Sequence, residues 1–317
     1  MKRLKIAVLR GGPSSEFDVS LRTGKSIIDI LSEKHKVYDV ILDKEANWYL
    51  DGVKINPIVF SRQLDFVFNG MHGEYGEDGQ VQALLEKLAI KYSGPKRFGA
   101  AISMNKNIAK DFYRKNNIKT PAHLIIETNK INELTPGDII QHFAFPVIIK
   151  PLGAGSSVGI AIAKNFPELM DYLPNYVEKF DKLMIEEWIG GKEATVGVID
   201  NFRNKEHYSL MPIEIRKPAG RDLFDYDLKY SDEAEKICPG SFSRQEKEDL
   251  ERMAIEAHKV LGLRHYSRSD FMIHPKRGVF ILETNSLPGM TNESLLPKAL
   301  IASGSSLQEL LEHILDL

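Results

Sequence analysis

Residues 266–273 and 279–284 read as two strands, and the turn Pro275-Lys276-Arg277-Gly278 between them is tight. This hairpin constrains the fold more than any other stretch, because it fixes which polar side chains can meet. Alternation along a strand puts Arg268 and Asp270 on one face, and Glu283 and Asn285 on one face. Folding the second strand back beside the first lets Asp270 meet Glu283 and Asn285 across the ladder. Three oxygen ligands of this kind, with phosphate oxygens and water, complete an octahedral magnesium site. Two ions sharing a bridging carboxylate suit a nucleotide triphosphate, and Arg268 can stabilise nearby charge. The same residues also fit a strand that leaves the core with a polar end capping a loop. The next stretch, Pro288 to Pro297, offers a glycine turn and a helix start whose N–H groups, with Ser294, make a carboxylate pocket.

Upstream, strands alternate with helices. Strands are expected at 5–10, 36–42, 64–69 and 90–92, with helices at 18–31 (Asp18 as candidate N-cap) and 79–88. Such alternation implies a mostly parallel open sheet, an α/β unit over residues 1–102. A helix near 104–116 stops at Thr120-Pro121. A smaller α+β unit over 103–185 holds the strand–loop–strand stretch 145–163, a helix at 166–179 and a strand at 183–187. The unit 186–317 adds strands at 194–199 and 208–215, a polar loop 217–242, and helices at 244–261, 292–302 and 305–315.

The loops at strand ends carry the candidate chemistry. Gly153 to Gly159, GAGSSVG, follows Lys150 and is a hairpin lid by its flanking strands. Its small residues let backbone N–H groups approach anionic oxygens, and Ser156 and Ser157 add hydroxyl donors. An ordinary flexible hairpin has the same look. Thr23-Gly24-Lys25-Ser26 imitates the end of a phosphate-binding P-loop, but Val19 occupies the first glycine position and the stretch lies in an expected helix. Lys150 can neutralise phosphate or simply end a strand, and Lys106 alone reads as surface. His72 stands in the glycine-rich loop 69–82 as a site residue or a satisfied loop histidine, with Glu77 and Asp78 as capping groups. Glu16 is either a first-turn carboxylate or an anchor for a substrate ammonium. Glu186 and Glu193 flank a glycine turn in a pattern suited to nucleotide sugar hydroxyls. Residues 221–240, rich in aromatics and acids around Lys229, read as a long active-site loop.

Composition narrows the class. The 42 basic and 44 acidic residues leave a net charge of -2, so nothing marks a nucleic-acid binder held by phosphate contacts. No apolar run approaches the ~20 residues of a spanning helix. The start MKRLKIAVLRGG is too short in apolar residues for a signal peptide. The single cysteine, Cys238, forms no internal disulfide and fits a reducing compartment, so a cytoplasmic protein without membrane insertion is expected.

GGPSSEFDVSL, HGEYGEDGQVQ, KPLGAGSSVG, EEWIGGKEATVG, DYDLKY, RSDFM and LETNSLPGMTNESL together closely resemble the D-alanine–D-alanine ligase family of the ATP-grasp superfamily, over residues 11 to 295. The resemblance implies an ATP-dependent carboxylate–amine ligase that joins two D-alanines through a D-alanyl phosphate. By that resemblance Lys106, Lys150, Ser157, Glu186 and Glu193 are ATP-pocket residues, Trp188 and Ile189 flank the adenine, and Lys229 reaches the terminal phosphates. Asp270, Glu283 and Asn285 are the ligands of Mg2+ or Mn2+. Glu16 holds the ammonium of the first D-alanine in a network with Ser156 and Tyr230, and His72 lies by its carboxylate. Arg268 and the Gly289 backbone form the oxyanion site, while Ser294 and the Leu295 backbone take the carboxylate of the second D-alanine. A homodimer is the family's expectation. Ala154, Asn105, Phe224 and Leu228 depart from the usual pattern, and all touch lid or loop packing. The rivals are a ligase taking D-lactate or D-serine second, and a catalytically silent nucleotide-binding regulator.

Overall fold

In a computed structural model of the chain, the structure describes residues 3–131, 135–152, 159–218, 220–221 and 233–317. The first sheet has the order β4-β3-β2-β1-β5, from β1 (Lys5–Gly11), β2 (Lys36–Leu42), β3 (Trp48–Leu50), β4 (Val53–Ile55) and β5 (Phe66–Asn69). β1 runs parallel to β2 and β5, as the alternating pattern predicts. The short β3–β4 hairpin extends the sheet antiparallel and was not legible, because each strand has only three residues. Residues 90–92 add only a parallel bridge, Tyr92 to Val67.

Helix α1 (Phe17–Leu31) lies on this sheet through Ile27 and Leu31. Glu16, not Asp18, is its N-cap residue, and Asp18 sits in the first turn where the helix dipole favours it. The P-loop imitation is part of α1. A Cβ on Gly24 would meet the Arg10 side chain at 2.6 Å, so this glycine serves helix–sheet packing. The opposite face of the sheet is closed by α2 (Pro57–Ser61) and α3 (Gln80–Lys87) through Phe60, Val81 and Leu85.

The helix expected at 104–116 is α5 (Lys106–Lys115), and a helix not read in the sequence, α4 (Arg97–Met104), precedes it, the two separated at Asn105. Asn105 caps α5 by accepting from the Ile108 N–H at 3.2 Å. Aspartate and asparagine cap equally well, so this departure costs no structure.

A second, four-stranded antiparallel sheet has the order β6-β9-β7-β8, from β6 (His123–Glu127), β7 (Val147–Pro151), β8 (Ala161–Ala163) and β9 (Lys182–Glu187). β7 and β8 pair antiparallel on either side of the glycine loop. One face of this sheet packs on α6 (Thr135–His142) and α7 (Phe166–Val177), burying Ile139, Leu169 and Leu173.

The third sheet has six strands in the path β13-β12-β10-β14-β15, with β11 also on β10. Its members are β10 (Lys192–Phe202), β11 (Lys205–Ser209), β12 (Ile213–Arg216), β13 (Glu235–Ile237), β14 (Tyr266–His274) and β15 (Gly278–Asn285). The strand expected at 208–215 is thus split at Leu210-Met211-Pro212, where proline supplies no N–H for a ladder. β13 falls inside the stretch expected to be loop. Helix α8 (Arg244–Val260), opened by a Ser243–Glu246 capping box, covers one face through Leu250, Met253 and Ala257. α9 (Leu295–Ala302) and α10 (Leu307–Asp316) join the first and third sheets in a shared core with Ile6, Val8, Phe68 and Ile199. Among the described residues no helix is long and apolar enough to cross a membrane.

Candidate active site

The β14–β15 register places Asp270 opposite Glu283 and Arg268 opposite Asn285. A bulge between Asp270 and Phe271 makes this possible. Before it, Val279 and Ile281 point into the core under α8, while Phe280 and Leu282 face the other way. The extra residue at the bulge reverses the parity. Glu283 and Asn285, which strict alternation would place with Ile281, therefore face a cavity of about 420 Å³ with Asp270. This answers how an apolar strand can end in two polar side chains on its functional face.

The carboxylates are neutralised locally. Arg268 donates to Asp270 through Nε (3.0 Å) and Nη2 (2.9 Å), and Thr195 Oγ1 donates to its Oδ1 at 2.6 Å. Asn285 Nδ2 donates to the other Asp270 oxygen, Oδ2, at 3.1 Å, which leaves its amide oxygen as an acceptor. Lys106 stands 3.2 Å from Glu283, and that charge is the main force holding its ammonium above the ordinary lysine range. Two carboxylates and an amide oxygen on one face form a hard-oxygen donor set, so the residues fit a magnesium-class ion.

Deeper in, Glu186 is buried between Lys110 and Lys150, with Lys150 Nζ at 2.5 Å and Lys110 Nζ on the other oxygen. Burial pushes the Glu186 carboxyl up, but the two ammonium groups outweigh it and hold it near about 2. Burial brings Lys110 down to about 8. Lys110 was not singled out in the sequence; its one signal is a lysine on the buried side of α5, four residues after Lys106. Glu193 similarly pairs with Lys217 at 3.1 Å.

Glu186→Gln is expected to cost about 3–5 kcal/mol at neutral pH, because the buried Lys110 and the part-buried Lys150 lose their shared anion. The carboxyl is depressed, so its contribution is fully present above the unfolded value of 4.5 and disappears as pH falls toward about 2. Melting curves of wild type and variant should therefore converge as pH falls from about 4.5 to about 2. A constant separation over that range would contradict the pairing.

Apolar walls come from Ile148, Ile189, Met272 and Leu282, beside Trp188. Only Trp188 and Ile189 were anticipated. Met272 was readable as the next cavity-facing position after Arg268 and Asp270, whereas Leu282 depends on the bulge.

Glu16, His72 and Glu77 line the same cavity. Glu16 is an N-cap residue whose side chain makes no cap hydrogen bond. Gly73, at φ +71°, keeps the loop close: a Cβ there would stand 3.1 Å from Glu16 Oε2. His72 is buried, with Nε2 2.8 Å from Thr23 Oγ1, and burial lowers its pKa, favouring the neutral ring. Glu77 is more than a cap. It accepts from the N–H of Gly73 (2.7 Å) and of Leu287 (3.2 Å), tying two site loops together. Burial, then the charge of Glu16, push its carboxyl up to about 8. Asp78 is the capping group, accepting from Gln80 N at 3.0 Å.

Ser294 precedes α9, which begins at Leu295 rather than at 292 as expected. Its Oγ accepts from Thr291 N at 3.1 Å. A Cβ on Gly289 would approach that Oγ to 2.8 Å, so the turn needs glycine there. Gly289, Ser294 and Leu295 line the same cavity as Glu16, Lys150 and Asp270. Ser156, Ser157, Lys229 and Tyr230 lie outside the described residues, as do Ala154, Phe224 and Leu228.

Comparison with known proteins bears on the whole chain. Residues 112–316 match the family described as D-ala D-ala ligase C-terminus, and residues 53–95 match D-ala D-ala ligase N-terminus. The D-alanine–D-alanine ligase of Clostridium beijerinckii is 34% identical over 320 residues, covering 99% of this chain and 98% of its own. The crystal structure of the Bacillus anthracis D-alanine–D-alanine ligase complexed with ATP superposes with a TM-score of 0.82 at 31% identity, covering 100% of this chain and 97% of that one. A D-Ala:D-Ser ligase from Enterococcus faecalis superposes with a TM-score of 0.85 at 25% identity, over 100% of this chain and 99% of its own. The architecture, α/β and α+β sheets around one cavity, is that of an ATP-grasp ligase. Within that class the chain belongs to the D-alanine–D-alanine ligase family.

Proposed function

We propose that the protein joins two D-alanines at the expense of ATP, through a D-alanyl phosphate, and so supplies a dipeptide for peptidoglycan precursors. It acts in the cytoplasm as a homodimer, with residues 1–102 binding the first substrate, 103–185 carrying the phosphate lid, and 186–317 holding the metal and the second substrate. The observation that carries this reading is one cavity lined by Glu16, Lys150, the Asp270–Glu283–Asn285 face and the Gly289–Ser294 turn. Ammonium, phosphate, metal and carboxylate recognition are thereby adjacent.

Glu16 takes the ammonium of the first D-alanine, in a network with Ser156 and Tyr230, and neutral His72 lies by its carboxylate. Asp270, Glu283 and Asn285 would hold Mg2+ or Mn2+, and the metal would supply charge neutralisation for phosphoryl transfer; a count of two ions rests on the family resemblance alone. Lys106, Lys150, Lys229 and the lid hydroxyl of Ser157 add positive charge and donors around the phosphates. Glu186 positions Lys150, while Glu193 receives the ribose and Trp188 and Ile189 flank the base. The first carboxylate takes the terminal phosphoryl of ATP with release of ADP. The amine of the second D-alanine then attacks the acyl carbon, and the C–O bond to phosphate breaks as the amine gives up a proton and phosphate leaves. Arg268 and the Gly289 N–H stabilise the oxyanion that forms, and Ser294 with the Leu295 N–H fixes the second carboxylate.

The test is phosphate release from ATP with a panel of D- and L-amino acids and D-lactate, each product weighed by mass spectrometry. D-alanyl-D-alanine as the main product is expected. D-alanyl-D-serine as the main product would assign the chain to the reading represented by the Enterococcus faecalis relative. Nucleotide binding with no ligated product would leave only the silent regulator.

A further inference from the structure

A second cluster of ligating groups stands outside the cavity, at the far end of β10. Asp200 and His207 are directly paired across the β10–β11 hairpin, so their side chains share a face. His258, fully buried in the last turn of α8, approaches the same spot. His207 Nδ1 is 2.8 Å and His258 Nε2 3.1 Å from the same oxygen, Asp200 Oδ1. The three candidate ligand atoms lie within 4.8 Å of one another.

We propose that Asp200, His207 and His258 form a binding site for a divalent transition-metal ion of the zinc class. Two imidazoles and one carboxylate are the donor set such ions prefer, whereas magnesium favours oxygen alone. A tetrahedral ion with bonds of ~2.0–2.2 Å holds its ligand atoms roughly 3.3–3.5 Å apart. The two observed N–O separations need to open by about 0.2–0.7 Å to admit it.

The surroundings of each ligand fit the same reading. His258 Nδ1 lies 2.8 Å from Ser267 Oγ, a partner that directs its Nε2 toward the ion. Asp200 Oδ2 accepts from the His265 N–H at 2.6 Å, leaving Oδ1 for coordination. His207 Nε2 has the Glu206 carboxylate 3.7 Å away. His207 is 16% and Asp200 14% exposed, which gives an ion a way in and leaves the fourth position to water. Burial raises the Asp200 carboxyl, but its hydrogen bonds with His258 and His207 outweigh this and bring it to about 2, so it is anionic. A bound ion would clamp the β10–β11 hairpin to α8. Asp200 lies five residues beyond Thr195 on β10, roughly 16 Å along the strand from the Asp270 cluster.

The test uses the full chain, stripped of metal by a chelator and then titrated with Co2+ in excess Mg2+. One Co2+ per chain should give the visible absorption of tetrahedral cobalt, and Zn2+ should displace it. Glu283→Gln should keep this band. His207→Gln, which retains a donor for Asp200 but loses the ligating nitrogen, should bind at least ~100-fold more weakly while its ligase activity stays at the wild-type level. A wild type without the band, a band surviving in His207→Gln, or a band lost in Glu283→Gln each overturns the proposal. Imidazole nitrogen resonances of the wild type give a readout that needs no variant. Zn2+ in excess Mg2+ should shift those of His207 and His258, and unmoved signals would equally reject the site.

Discussion

Glu283→Gln is expected to lower turnover at least ~100-fold, because the phosphoryl group in transfer loses an anionic ligand of its metal clamp. The substitution keeps the shape of the side chain and removes only its charge. That charge has two recipients in the structure. One is the donor face shared with Asp270 directly opposite and Asn285 two residues on. The other is Lys106, 3.2 Å away. Loss of the Lys106 interaction is worth about 1.5–3 kcal/mol, a shift in melting that leaves the protein folded. Turnover at saturating Mg2+ or Mn2+, measured beside a thermal melt, separates the two effects. A folded variant with near-normal turnover contradicts the assignment, and so does full wild-type activity in excess chelator.

Legibility in the sequence followed the range of the interactions involved. The β14–β15 hairpin was readable because both strands and their turn are contiguous, and period-two alternation then places Arg268 beside Asp270 in projection. The bulge was not readable. It arises where two ladders of unequal residue count are forced to match, so the apolar residue Leu282 joined the cavity unannounced. Lys110 was missed for a related reason. A lone lysine on a helix reads as solvent-facing, and only the fold brings Glu186 from β9 against it. The helix expected at 104–116 starts two residues later than read, and α4 before it was missed, because Asn105, a polar residue in a helical run, carries the same letter whether it caps or continues. Short elements such as β3, β4 and β13 have three residues each, too few to show any period. The loops at 11–16, 69–78 and 286–294 were legible as site material from their glycines, yet their mutual contact through Glu77 and Leu287 is a property of the assembled chain.

Glu16→Gln is expected to weaken binding of the first D-alanine by about 2–5 kcal/mol, roughly 30-fold to several thousandfold, since a charge-assisted pair in a closed site loses one partner. The side chain is not consumed by its own helix: Glu16 occupies the N-cap position of α1 and makes no cap bond there. Its carboxylate instead stands by Gly73, and its charge is felt by His72, Glu77 and Lys106. Affinity for ATP should move by less than about twofold, because the pairing interaction is confined to the amino acid. Ser294→Ala should have the opposite bias. The Ser294 hydroxyl braces the turn through Thr291 and lines the cavity at the start of α9, so its loss raises the requirement for the second D-alanine and leaves the first site near normal. Titrating the two amino-acid sites separately, with ATP affinity measured alone, resolves both variants. Damage confined to ATP affinity in Glu16→Gln would remove this residue from the substrate pocket. A wild type that joined L-alanine as readily as D-alanine would remove the pocket itself, because an ammonium anchor at Glu16 and a carboxylate partner at His72 select one enantiomer only where a third wall meets the methyl group, and a closed substrate pocket has to supply that wall.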